Sequence, residues 1–199
     1  RLFGVDAELL IDHAWGRETV TMEDIKTYCP KSNSISSGQV LARDYGHAEA
    51  RLVAKEMADM LALELVEKEL VTDSITLHVG YSNRMEKKPA HGTVTMTVTT
   101  SSARQIIAYT AELYDRIVDP HTPVRRMSLT FNHVTDEACE QYDLFTDPGE
   151  LERERRMQRA MLDIKGKFGK NAILKGMNLQ DGATAMERNC QIGGHRSGV

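Results

Sequence analysis

A chain of 199 residues with 41% apolar and 27% charged side chains is long enough for one ordinary domain with extensions. Its net charge of −4 argues against a uniformly basic nucleic-acid binder. Its three far-separated cysteines, Cys29, Cys139 and Cys190, argue against a disulfide framework or a zinc ribbon and fit a reducing, cytoplasmic setting.

No apolar run approaches the roughly 20 residues of a membrane helix. The first residues, Arg1-Leu2-Phe3-Gly4, have no signal-peptide layout and read as a segment from inside a longer protein. Charge is unevenly placed. Residues 1–30 carry 3 basic and 6 acidic side chains, residues 31–134 carry 12 of each, residues 135–150 carry 6 acidic and no basic ones, and residues 151–199 carry 10 basic and 5 acidic. This divides the chain into an N-terminal piece (1–30), a neutral middle (31–134) and an acidic linker with a basic tail (135–199).

Residues 5–15 predict a short helix, with Asp6 as N-cap, Val5 and Leu10 as a hydrophobic staple, and Trp15 as a packing anchor before Gly16. Residues 21–27 predict a second helical turn, ended by Tyr28-Cys29-Pro30. A serine-rich first strand follows at 34–41. A long helix spans 47–70, with Ala50, Val53, Ala54, Met57, Leu61 and Leu65 inward and Arg51, Lys55 and Asp59 outward. Two strands alternate cleanly. In 74–81, Ile75, Leu77, Val79 and Tyr81 oppose Ser74, Thr76 and His78, and in 93–99, Val94, Met96 and Val98 oppose Thr93, Thr95, Thr97 and Thr99.

A second helix, 102–118, opens with a Ser102/Gln105 capping box and has Ile106, Ile107, Leu113, Tyr114 and Ile117 as its stripe. The last strand, 125–133, sets Met127, Leu129 and Phe131 against Arg126, Ser128, Thr130 and Asn132. The order β-α-β-β-α-β predicts an α+β two-layer sandwich, an antiparallel sheet with two helices on one face and helical extensions at both ends. Residues 134–147 read as an acidic linker. A final helix runs from Asp147-Pro148 to about Phe168, with Met157, Ala160, Met161, Ile164 and Phe168 as its apolar stripe. The periodicity beyond Gly169 is weak.

The uncovered sheet face consists of Ser, Thr, His, Arg and Asn, without carboxylates. Such donors suit a phosphate backbone, which offers acceptors and negative charge. Lys31, Lys87, Lys88, Arg104 and Arg125 flank it. A plainly solvated face, with threonine present as a good strand former, is the competing reading. Gln141-Tyr142-Asp143-Leu144-Phe145 has the form of a linear docking peptide, in which Leu144 and Phe145 fill a pocket and Gln141 fixes register. Leu144 and Phe145 packing back on the domain is the alternative. Among the histidines, His78 and His133 could share a face, without carboxylates or thiolates to complete a metal site. The Arg153–Arg159 run reads as charged helix surface.

Three stretches carry a resemblance. FGVDAELLIDHAWGRE (3–18) resembles the thumb end of Y-family, UmuC-like (ImpB/MucB/SamB) translesion DNA polymerases. KSNSISSGQVL (31–41) is similar to the entry of their little-finger domain, and GKNAILKGMNLQDGATAMERN (169–189) to the tail of Gram-positive members. Gln141-Leu144-Phe145 falls where such enzymes place a sliding-clamp motif. The resemblance implies primer-template DNA and a bacterial sliding clamp as partners, in the bacterial cytoplasm at the nucleoid, within an error-prone repair polymerase. It further implies that nucleotide transfer, with Mg2+ on palm carboxylates, lies outside this chain, so that no residue here is catalytic, metal-binding or cofactor-binding. Lys31, Ser34, Ser36, Ser37, Gly38, Thr95, Arg126 and Ser128 become candidate DNA contacts. The readings, in order, are a DNA-gripping domain, a module that mainly docks the clamp, and a small independent enzyme with a histidine site.

Overall fold

The computed structural model describes residues 6–18, 20–28, 33–137, 147–192 and 195–196. The chain forms two units, residues 1–32 and 33–199. The first holds α1 (Asp6–Ala14) and α2 (Met22–Thr27). Thr21 and Asp24 close a capping box on α2: the Asp24 N–H donates to the Thr21 hydroxyl, and the Thr21 N–H donates to the Asp24 carboxylate. This carboxylate lies below its ordinary pKa because the Thr21 hydroxyl and N–H both donate to it. Trp15 is 77% exposed, so the packing anchor expected from the sequence is not formed. Two short helices with Leu10, Ile11 and Met22 also exposed enclose no interior for it.

The second unit runs β1 (Ile35–Tyr45), α3 (His47–Glu67), β2 (Leu70–Tyr81), β3 (Ala90–Thr100), α4 (Ala103–Ile117), β4 (Val124–Asn132), β5 (Thr135–Asp136) and α5 (Pro148–Phe168). The sheet order is β1-β4-β2-β3, every pair antiparallel, with α3 and α4 on one face. This is the α+β two-layer sandwich that the alternating patterns predict. Ile75, Leu77, Val79, Leu129 and Phe131 are fully buried against Val53, Ala54, Ile106 and Tyr114. Each large apolar side chain sealed in this way contributes about 1.5–3 kcal/mol of transfer free energy. Gly92 lets α4 close on β3: a Cβ there would stand 2.8 Å from Ile117 and 3.2 Å from Leu113.

Element boundaries shift where the pairing, not the pattern, decides. β1 continues to Tyr45, four residues past the predicted end, because Tyr45 pairs with Val124. β2 starts at Leu70 because Leu70 and Val71 pair with Asp136 and Thr135, so the acidic stretch begins as a strand. The chain reaches that start through Glu69, which turns at φ 55.

The extensions depart further from expectation. Ser102 caps α4 by accepting from the Gln105 N–H. The reciprocal half of the expected box is absent, since the Ser102 N–H donates to the Thr100 hydroxyl (3.1 Å); α5 instead adds Glu154, which accepts from the Ser102 hydroxyl (2.7 Å) and from the Arg104 N–H (2.8 Å). The predicted α5 stripe is corrected, since Met157 (53%) and Phe168 (67%) are exposed. The buried positions are Met161 and Gln158, whose amide donates to the Ser101 carbonyl. The inward face of α5 is chosen by polar partners, which a hydrophobic period does not see.

Beyond α5, a 3-10 turn (Gly176–Leu179) and α6 (Ala185–Asn189) pack on α3. Glu56, 5% exposed, accepts from the Asn178 amide (2.8 Å), the Thr184 N–H (2.7 Å) and the Thr184 hydroxyl (3.3 Å). Asp59, read from periodicity as outward, is 7% exposed and paired with Lys175. The tail supplies a second covered face to α3, which turns a surface position into an interior one.

Candidate nucleic-acid interface

The strand registers line up the uncovered face in rows across the sheet. Gly38, Ser128, His78 and His91 form one row. Ser36, Thr130, Thr76 and Thr93 form the next, and Asn132, Ser74 and Thr95 the one beyond. On the other side of the histidine row, Val40, Arg126 and Gly80 stand together. No Asp or Glu occupies these rows.

Hydroxyls and amides knit the rows. Thr76 and Thr93 share a hydrogen bond of 2.8 Å between their hydroxyls, and the Asn132 amide donates to Thr76 (2.9 Å) and Ser74 (3.3 Å). Thr76, Thr93 and Asn132 are therefore held by the sheet while partly or fully open to solvent, whereas Ser74 is buried. Arg126 lies across its neighbour: a Cβ on Gly80 would stand 2.5 Å from the Cγ and Nε of Arg126. The glycine leaves a groove for the arginine stem, which holds the guanidinium over the sheet. A planar, always-charged donor on a floor without acids is suited to a phosphodiester.

The predicted contacts separate by face. Ser36, Gly38, Thr95, Arg126 and Ser128 are brought together on the open face, and exposed Ser34 immediately precedes β1. Ser37 points to the opposite side, where its hydroxyl accepts from Arg188 (3.1 Å). The period of two in a strand forces this, because neighbours of an outward Ser36 and Gly38 must face inward. Burial lowers the Arg188 guanidinium from its ordinary pKa, partly offset by the Glu56 charge. Lys31, Gln141, Leu144 and Phe145 lie outside the described residues.

Among the flanking cations, Lys87 is engaged by Asp119 and Arg104 by Glu150, whereas Lys88 is exposed in the β2–β3 loop. His78 and His133, which could share a face by sequence, have different neighbours. His78 stands beside His91, with ring centroids 5.9 Å apart, and His133 contacts Asp73 at 2.8 Å. Among the described residues, no group of three or more His, Cys, Asp or Glu side chains is placed to hold a metal ion. None of the described helices is long and apolar enough to cross a membrane. Thr76, Thr93, His91 and Gly80 were not among the predicted contacts. The alternation marks the face of Thr76 and Thr93, whereas His91 reads from the sequence as a loop residue and lies on β3 because that strand starts at Ala90; the registers put all four near Ser128 and Arg126.

The C-terminal domain model of the impB/mucB/samB family matches residues 32–144. The chain belongs to this family. Its curated relatives include a protein named for UV-damage repair, UvrX of Bacillus subtilis (strain 168), 27% identical over 197 residues, covering 98% of this chain and 46% of that protein. DNA polymerase IV 2 of Halalkalibacterium halodurans is 26% identical over 166 residues, covering 83% of this chain and 40% of that protein. The chain thus spans less than half the length of these relatives. A solved complex of a beta-clamp processivity factor and the little finger domain of PolIV superposes with a TM-score of 0.41 at 12% identity, over 57% of this chain and 100% of that one.

Proposed function

We propose that this chain is the DNA-gripping region of a translesion DNA polymerase. The carboxylate-free open face carries the reading, with Arg126 laid over Gly80 on one side of the histidine row and rows of hydroxyl donors on the other. Contacts of this kind read backbone rather than bases and so ignore sequence. That suits an enzyme whose template is damaged. Membership of the impB/mucB/samB family supports the same assignment. The relatives are more than twice as long as the matched part, and we place nucleotide transfer with its Mg2+ outside this chain.

Fluorescence anisotropy on a rhodamine-labelled primer-template duplex tests the proposal. Affinity should fall at least about tenfold between low and physiological salt and be indifferent to base sequence. Arg126→Ala should weaken binding about tenfold and reduce the salt slope by about one ion. Lys31→Ala should act in the same direction. Binding insensitive to salt would sink the reading.

A second role rests on the peptide Gln141-Tyr142-Asp143-Leu144-Phe145, which follows the sheet and precedes α5. We propose that it docks a bacterial sliding clamp. The double variant Leu144→Ala/Phe145→Ala should abolish clamp capture in a surface-binding assay and leave DNA affinity unchanged. Capture that persists in the double variant would exclude this peptide as the dock.

A further inference from the structure

The histidines of this chain divide by their surroundings. His13 contacts Glu18 and His133 contacts Asp73, each at 2.8 Å, and His47 packs on the Tyr114 ring with centroids 4.9 Å apart. His78 and His91 differ. They face each other across the β2–β3 ladder in the middle of the open face, and among the described residues neither imidazole has a hydrogen-bond partner.

The described rows around them hold no carboxylate. On β2 the same-face neighbours are Thr76 and Gly80, on β4 they are Ser128, Thr130 and Arg126, and on β3 Thr93. β1 adds Ser36, Gly38 and Val40. The adjoining β2–β3 loop carries Arg84, Glu86 and Lys88, all exposed, and Lys87, which is held by Asp119. Arg126 is therefore the one fixed charge within the described rows. Two imidazolium groups beside it would repel one another and the guanidinium unless an anion joined them. A phosphodiester is such an anion, since protonated imidazoles give it two charge-assisted N–H donors on a row whose other members, Gly38 and Ser128, are too small to obstruct it.

We propose that His78 and His91 form a proton-linked phosphate clamp: they grip the DNA backbone as imidazolium ions and release it as neutral rings. The proposal rests on the DNA-gripping reading and adds two contacts and a regulation to it. Imidazole is the side chain that gains its charge under mildly acidic conditions, so the added grip belongs there. Because an anion stabilises the charged rings, DNA binding takes up protons, and by linkage affinity rises as pH falls.

The test is anisotropy of this chain on a rhodamine-labelled duplex at constant ionic strength, from about pH 8 to about pH 5.5. The association constant should rise about tenfold across that range, and His78→Gln/His91→Gln should flatten the rise. His91→Gln alone, at an exposed position, should remove part of the rise and guards against a folding defect in the double variant. Imidazole NMR titrations should show both rings protonating at higher pH when the duplex is present. Duplex binding whose pH profile is the same in the double variant overturns the clamp and leaves the grip standing. No binding at any pH, even at low salt, overturns both.

Discussion

The two sides of the β1–β4 half of the sheet use charge in opposite ways. On the helix side, Glu56, Asp59, Lys175 and Arg188 are drawn inward and matched, donor to acceptor, between α3, β1 and the tail. On the open side, Ser36, Gly38, Ser128 and Arg126 face solvent with no acid among them. The net charge of the chain is thus a poor guide to the charge of its open face. Part of the basic tail is consumed internally by buried carboxylates, and a single arginine over a glycine decides the character of the open face.

The largest effect expected on this contrast comes from Glu56. Glu56→Ala leaves Asn178 and the Thr184 N–H unmatched in the interior and should cost about 3 kcal/mol, read as a fall in Tm. DNA affinity measured well below that Tm should be unchanged, and a parallel loss of affinity would mean that the two sides are coupled.

Gly80→Ala should be milder and opposite in kind. The new methyl displaces the flexible Arg126 stem rather than backbone, so Tm should hold while DNA affinity falls roughly threefold. A large drop in Tm with intact affinity would show that Gly80 serves the sheet and not the arginine.

The smallest effect concerns pH. The Arg43 guanidinium, and next the Gly46 N–H, hold the Glu49 carboxyl below its usual range. A depressed carboxyl stabilises the fold above its unfolded pKa, and the contribution fades as pH falls through the folded value. The pair is partly solvated, so Glu49→Gln should cost less than about 1 kcal/mol at neutral pH. Denaturant unfolding should show the two proteins converging in acid.

The sandwich was legible because its strands have one dry face, and Ile75, Leu77 and Val79 against Ser74, Thr76 and His78 state that in six residues. The capped start of α4 was half legible: Ser102 shows in the sequence, whereas Glu154, 52 residues away, does not. Asp59 and the α5 stripe were misread for one reason. Both are settled by hydrogen bonds and ion pairs formed at long range, and periodicity reports only apolar contact. The same limit applies at the open face, where Thr95 and Ser128 were singled out but Thr76, Thr93 and Gly80 were not. Which strands are neighbours, and in what register, is a property of the folded sheet.

The short strand β5 has a mechanical meaning. It ties the chain to Leu70 and Val71 by a two-residue ladder, reinforced by the Glu137 N–H donating to Glu69 and by the Arg155–Glu137 ion pair. The rows of the open face rest instead on the far longer β2–β4 ladder, from Ser74 to Tyr81. Tension applied beyond Glu137 therefore meets its weakest fastening first. Stretching a single molecule from that point should release β5 at low force and leave the open-face rows intact, so that β5 acts as a strain relief for the sheet.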